Sequence, residues 1–312
     1  MHAMDMEVSR LIIKSDRGKG MIPSIITDQV SQDLETALKI ITKKGYRNVE
    51  LHNVFSKSIE ACDDIEIKRI KELIHKYDVK VTNIASTVFF LCPLYPKDEV
   101  TLFNPEFYTI SGTLNNHLEF LKRACHIAHE LDCLRIRIFP FRWPDNCKGP
   151  YGTKEDKRRI LENIKKAVKI AEAYNVVLVL ENCPYSHLPK GEMTLEIIQE
   201  INNPHLKLLW DPANSYRAIR TNVPKPYLRL NLLSELNKIY PYIEHIHIKD
   251  YHYDNSFEKP FIHKPILDGD IDYRKLINEL KRNGYKNVIS LEPEVNYDDT
   301  LICMDRLINI IQ

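Results

Sequence analysis

Short apolar runs alternate with amphipathic stretches along nearly the whole chain, and that rhythm leaves few folds open. The runs are Ile22–Thr27, Asn48–Leu51, Val79–Ala85, Leu134–Phe139, Val176–Leu180, Leu208–Trp210, a run centred on Ile246, and Val288–Leu291. Between them lie stripes at helical spacing: Leu34, Ala37, Leu38 and Ile41; Ile67, Ile70, Leu73, Ile74 and Tyr77; Leu118, Leu121, Cys125 and Ala128; Ile160, Ile164, Ala167, Val168 and Ala171. Further helices are predicted near Thr194–Ile201, Leu232–Ile239, Tyr273–Asn283 and Leu301–Ile311, from apolar residues three and four apart. Solid runs such as 176–180 suit strands covered on both faces, as in a parallel sheet. Eight strand–helix units predict an α/β protein, a single (β/α)8 TIM barrel over residues 22–312, with 1–21 an N-terminal extension. A faint internal echo agrees: Gly45-Tyr46-Arg47-Asn48-Val49 and Gly284-Tyr285-Lys286-Asn287-Val288 both read as helix end, turn and strand entry.

Length and composition are consistent with this. The 312 residues, 44% hydrophobic and 28% charged, suffice for a barrel of about 250 residues plus loops. No Gly/Ser/Pro-rich linker divides them. A net charge of +1, from 44 basic and 43 acidic residues, gives no electrostatic reason to expect nucleic acid or a membrane surface. A small neutral or singly charged substrate fits better. The seven cysteines form no CxxC pair and are odd in number, which argues against a disulfide framework and for a reducing, cytoplasmic setting. No stretch reaches the length of a signal segment or membrane span.

Three connections are predicted to be long, after strands three (87–114), four (140–153) and seven (251–272). All follow strands and so belong at the end of the barrel where chemistry is built. The first carries Phe89, Phe90, Phe103, Phe107 and Tyr108. It reads as a lid or a surface for a homo-oligomer, or equally as a flap packed on its own barrel.

The last four runs share a second property: each stops on a metal-ligand side chain, Glu181, Asp211, His247 and Glu292. Barrel geometry would gather four such strand ends at one mouth. Any one of them alone reads as a cap, an ion pair or a core histidine; their joint occurrence is the signal. Two glutamates, an aspartate and a histidine form a hard site suited to one divalent ion, Mn²⁺, Mg²⁺ or Co²⁺ before Zn²⁺.

Glu181-Asn182, Trp210-Asp211-Pro212-Ala213-Asn214, His245-Ile246-His247-Ile248-Lys249-Asp250 and Leu291-Glu292-Pro293 resemble the ligand-bearing motifs of the xylose-isomerase-like sugar phosphate isomerase/epimerase superfamily. This is the barrel type shared with AP endonuclease family 2, and it includes ketose 3-epimerases, hydroxypyruvate isomerases and inosose dehydratases. The resemblance runs from about Ile22 to the C-terminus. It implies that Glu181, Asp211, His247 and Glu292 hold one divalent ion. Glu181 and Glu292 would also be the catalytic pair, exchanging a substrate proton through an enediolate. Two departures stand out. Asn214 occupies a position where those epimerases, and the zinc-dependent AP endonucleases, carry a histidine, and Tyr253 stands where the epimerases carry an arginine. The first, with the neutral net charge, argues against the DNA-repair alternative. A lyase such as an inosose dehydratase and a sugar-binding barrel without turnover remain as further readings.

Other residues are candidates for holding substrate: Asn214, His187, Lys249, Arg217 and Trp143. Lys249 shares the inward parity of His247 on strand seven. Arg217 and Arg220, in the loop after strand six, offer positive charge for an anion, and Trp143 and Phe139 offer rings for a sugar face. His245 is expected one layer deeper as a hydrogen-bonded core residue. Glu50 and Arg137 are expected to line the barrel, with an internal ion pair as the simplest role.

Overall fold

The computed structural model describes residues 20–102, 107–218 and 223–312. Most of the expected N-terminal extension lies outside the described residues, as do Phe103 and Arg220. Eight parallel strands make the barrel: β1 (Ile22–Ile25), β2 (Asn48–Leu51), β5 (Lys80–Ile84), β6 (Arg135–Ile138), β7 (Val177–Glu181), β8 (Leu206–Trp210), β9 (Ile243–Ile248) and β12 (Val288–Leu291). Their order round the sheet is β1-β12-β9-β8-β7-β6-β5-β2. β1 and β2 meet through one parallel bridge, Ile26 to Glu50, which nearly closes the ring.

The helices between strands are α1 (Leu34–Lys43), α2 (Asp64–Lys76), α3 (Leu114–Glu130), α4 (Lys154–Tyr174), α5 (Gly191–Ile201), α7 (Leu232–Ile239), α8 (Tyr273–Arg282) and α9 (Tyr297–Ile311). Their starts follow local chemistry. Asp63, Thr113 and Thr153 each accept from the third helical N–H, and Glu66, Asn116 and Asp156 reciprocate, giving three capping boxes. α4 ends at Asn175 in the left-handed conformation, φ 51°, which an asparagine tolerates better than most residues.

Strand parity decides what faces the barrel axis. On β7, Leu178 and Leu180 pack outward into the main helix-facing core, while Val177 and Val179 join Leu209 of β8 in a separate inner cluster. Glu181 continues the inner series, as Asp211 continues that of Leu209. On β9, Ile246 and Ile248 face out, so His245, His247 and Lys249 face in. A register shift opposite Leu208 and Leu209 inserts one extra residue at Glu244, which turns toward Arg135 of β6.

Three features differ from the sequence expectation. The connection after β9 is not structureless: β10 (Asp250–Tyr253) and β11 (Phe261–Lys264) form an antiparallel hairpin. Its base is pinned by Asp250, whose carboxylate accepts from the N–H groups of Tyr251, Leu267, Gly269 and Ile271. A second, two-residue-stranded hairpin, β3 (Asn53–Val54) with β4 (Lys57–Ser58), follows β2. A one-and-a-half-turn helix, α6 (Pro212–Arg217), stands where a loop was expected after β8, capped by Asp211 and started by a proline at its first position. In the long segment after β5, Phe89 and Phe90 are buried, and Phe107 packs with Phe90 and Phe139. The flap arrangement therefore describes these rings.

Candidate active site

β7, β8, β9 and β12 are neighbours in the sheet, and their ends bring Glu181, Asp211, His247 and Glu292 together. One ligand atom from each lies within 4.8 Å of all the others, and all four residues are buried. Two buried atoms in this group, His247 Nδ1 and Asp211 Oδ2, make no hydrogen bond. Unsatisfied buried polar atoms are costly in an ordinary core. Here they converge on the same small volume, so the donor set fits a divalent cation: three carboxylates and one imidazole, with two atoms that make ion-pair approaches but no hydrogen bond.

The surroundings hold these groups in place. Asn182 donates to the Asp211 carbonyl at 2.9 Å and accepts from the Asp211 N–H at 2.9 Å, tying the ends of β7 and β8 together. Asp211 also caps α6 through the Asn214 N–H at 2.9 Å. Asn214 Nδ2 donates to Glu181 Oε1 at 3.1 Å and to the Asn182 carbonyl at 2.9 Å. This asparagine thus orients a glutamate of the cluster.

His247 turns its other nitrogen to Glu50, with Nε2 3.1 Å from Glu50 Oε2. His245 Nε2 takes the second oxygen of the same carboxylate. Glu50, His245 and His247 also bring one ligand atom each within 4.8 Å of one another, but direct hydrogen bonds already join them. Glu50 therefore orients His247 from behind. Such a carboxylate–histidine contact fixes which ring nitrogen faces a metal. Asn83 donates to Glu50 at 2.8 Å and keeps it in place.

Arg137, fully buried, is the counter-charge on the β6 side. Its Nε and one terminal nitrogen donate to the carbonyls of Ser86 and Ala85 at 3.1 and 3.0 Å, and the other terminal nitrogen lies 3.3 Å from both Glu181 and Glu292. Lys249 Nζ is 2.8 Å from Glu292 Oε2, 2.8 Å from Glu294 Oε1 and 3.2 Å from Asp211 Oδ2, the last outside hydrogen-bonding geometry.

These contacts set the charge states. Burial pushes Glu181 up to about 7 despite Arg137 and His247. Glu292 goes the other way: burial is outweighed by Lys249 and His247, which hold its carboxyl well below the usual range. Burial also raises Asp211. For His247, burial is overcome by Glu50 and Glu292, which push the imidazole up to about 10. Lys249 stays protonated because Asp211, Glu292 and Glu294 outweigh its burial. Two carboxylates touching the same arginine thus have widely separated proton affinities.

The remaining candidates fall in three places. Lys249 and Asn214 belong to the cluster itself. Trp143 and His187 are buried against each other, ring centroids 5.0 Å apart, and His187 Nδ1 lies 3.6 Å from Asp156 of α4. Their contacts are with each other, Tyr151 and Asp156 rather than with Glu181, Asp211, His247 or Glu292. Arg217 ends α6 among the rings of Tyr185, Tyr251 and Phe261. The ion-pair roles expected of Glu50 and Arg137 are present, but their partners are the site residues. Sequence reasoning did not foresee Glu294 as a partner of Lys249. The inward parity of Glu50 and Arg137 on their strands was the one available signal for their support role.

No helix among the described residues is long and apolar enough to cross a membrane. Comparison with known proteins agrees with the architecture. The chain is 27% identical over 178 residues to an uncharacterized protein of Methanocaldococcus jannaschii, covering 56% of each chain. It is 28% identical over 165 residues to an inosose dehydratase of Bacillus licheniformis, covering 48% of this chain and 50% of that one. The chain thus spans about half the length of the curated relatives it matches. Among solved structures, a D-allulose 3-epimerase from Methylomonas sp. in complex with D-allulose superimposes with a TM-score of 0.67 at 14% identity, covering 94% of this chain and 97% of that one. At that identity the likeness speaks for the fold alone. The sequence profile of one family matches residues 38–306, most of the barrel, and the chain belongs to that family, the xylose isomerase-like TIM barrels.

Proposed function

We propose that this protein is a divalent-metal-dependent isomerase or epimerase of a sugar or sugar derivative, with Glu181 and Glu292 as its proton-transfer pair. The observation that carries the reading is the convergence of Glu181, Asp211, His247 and Glu292, with two of their buried atoms left without hydrogen bonds. Those four residues would hold the ion, and the hard donor set favours Mn²⁺, Mg²⁺ or Co²⁺. When bound, a divalent cation supplies Lewis-acid stabilisation of the negative charge that develops on a substrate oxygen.

The chain's own residues account for the proton. Glu292, held ionised by Lys249 and His247, is the base that removes the proton next to a carbonyl. Glu181, whose proton affinity lies near neutrality, returns a proton to the resulting enediolate. Arg137 touches both carboxylates and keeps them aimed at the same space. Asn214 fixes the rotation of Glu181. Return to the same carbon from the opposite face is epimerisation; return to the neighbouring carbon is isomerisation.

Dehydration is a second reading, supported by the protonated Lys249 ammonium beside Glu292 and by the similarity to an inosose dehydratase. It shares the first step and then expels a hydroxyl group, for which Lys249 is the proton source. The experiment is solvent deuterium exchange over ketoses, ketose phosphates and inososes, with the protein stripped by chelation and reloaded with Mn²⁺. Exchange at one carbon that needs the metal supports the proposal, and water loss from the labelled product selects dehydration. Full activity in metal-stripped protein overturns it.

A further inference from the structure

Among the described residues, Arg137 inside the barrel and Arg142 just beyond β6 both have acidic partners. Arg137 meets Glu181 and Glu292, and Arg142 meets Asp145 at 2.9 Å. Arg217, half-buried at the end of α6, has no carboxylate among the described residues. Its guanidinium carbon lies 4.8 Å from the ring centre of Tyr185, 5.8 Å from that of Phe261 and 5.9 Å from that of Tyr251. Aromatic faces attract a cation, yet they satisfy none of the charge-assisted hydrogen bonds that a guanidinium fork makes best. The phenols of Tyr185 and Tyr251 are neutral partners.

The position of this cation matters as much as its lack of an acidic partner. Asn214, which donates to Glu181, lies three residues before Arg217 on the same helix. Residues three apart share a helix face, one above the other, at about 5–6 Å between Cβ atoms. The far side of the cage joins the cluster as well. The Tyr251 ring is 4.6 Å from His263, and His263 lies 3.4 Å from Glu294, the partner of Lys249. A guanidinium without a counter-ion therefore sits about one helical turn from the proposed reaction centre.

We infer that Arg217 forms an oxyanion subsite, so that the molecule processed at the carboxylate cluster carries a carboxylate or phosphate a few carbons from its reacting centre. This rests on the reading of the cluster as a sugar-processing site and names its substrate class. Lys249 does not take that role, because Asp211, Glu292 and Glu294 already surround it. The planar fork of Arg217 is matched to the two oxygens of a carboxylate or phosphate, and the rings of Tyr185 and Phe261 hold the fork in place.

The test uses polyols that bind without reacting. Calorimetry with the Mn²⁺-loaded protein compares sorbitol, sorbitol 6-phosphate and gluconate, in the native chain and in Arg217→Gln and Arg217→Lys. A charge-assisted contact predicts that at least one charged polyol binds tenfold or more tightly than sorbitol. The phosphate and the carboxylate arms tell the two anions apart. Arg217→Gln should erase the preference, and Arg217→Lys, which keeps charge but loses the fork, should retain only part of it. Equal binding of all three polyols overturns the inference, as does a preference that survives Arg217→Gln. If Arg217→Gln fails to fold, Arg217→Lys decides: an undiminished preference there overturns it. A clamp with only a structural role would lower thermal stability and leave the charged-to-neutral ratio unchanged. The outcome is independent of turnover, so failure of deuterium exchange and failure of this inference are separate results.

Discussion

The two halves of the barrel use inward-facing charge differently. β7, β8, β9 and β12 carry it at the rim, as Glu181, Asp211, His247 and Glu292. β2 and β6, in the other half, carry it within the strands, as Glu50 and Arg137, and those strands end on the apolar Leu51 and Ile138. The first set presents atoms without hydrogen bonds; the second spends its hydrogen bonds on the first. One half offers ligands, and the other fixes their direction and charge. A site of this kind needs both, because a ligand that can rotate away gives up affinity and acid–base control.

The sharpest way to break this division is to exchange the roles of rim and support. Glu181→Gln or Glu292→Gln should reduce proton exchange by about 10²–10⁴-fold while circular dichroism and thermal unfolding stay near native. A mild loss would move the chemistry elsewhere. Arg137→Ala is expected to act first on stability. It leaves two buried carboxylates without their cation, which costs about 3–5 kcal/mol in the metal-free protein. Added Mn²⁺ should recover part of that in denaturant unfolding, and absence of any rescue would separate Arg137 from the metal site. Glu50→Gln should weaken Mn²⁺ binding by about 10–100-fold with the four ligands untouched. Unchanged affinity would reduce Glu50 to a packing residue.

A change of pH alone, smaller per unit than any of these substitutions, is the most direct test of the charge states. His247, raised to about 10 by Glu50 and Glu292, must lose its proton to offer a ring nitrogen to a cation. Metal affinity should therefore climb by about tenfold per pH unit between pH 7 and 10, where only His247 still carries its proton. Calorimetry in two buffers of different ionisation enthalpy would read the released proton. A flat profile would show that Glu50 does not hold His247 protonated in the metal-free protein.

How far each part was legible in advance follows from range. The solid run Val176–Leu180, the stripe Ile160–Ala171 and the capping residues Thr113 and Thr153 encode strand and helix within one turn or one strand, so the eight-unit rhythm could be read directly. α6 was hidden because Asp211, a candidate ligand at a strand end, is at the same time the cap of a short helix that Pro212 starts. The β10–β11 hairpin was hidden because its base depends on Asp250 meeting Gly269, a contact made only after folding. A Cβ on Gly269 would lie 2.2 Å from Asp250 Oδ1, so only glycine permits that approach.

From the amino-acid order alone came the barrel, its inward parity and the four residues at consecutive strand ends, because periods of two and of 3.6 residues are local properties of the backbone. What only the tertiary structure decided is which of those groups share charge. Arg137 lies 44 residues from Glu181 and 155 from Glu292, and Glu50 lies 197 from His247. Proton affinities of buried groups depend on distances of a few ångströms across the barrel, and no spacing along the chain encodes them. The same holds for Arg217, whose aromatic walls come from two separate connections and whose lack of an acidic partner is visible only once the chain has closed around it.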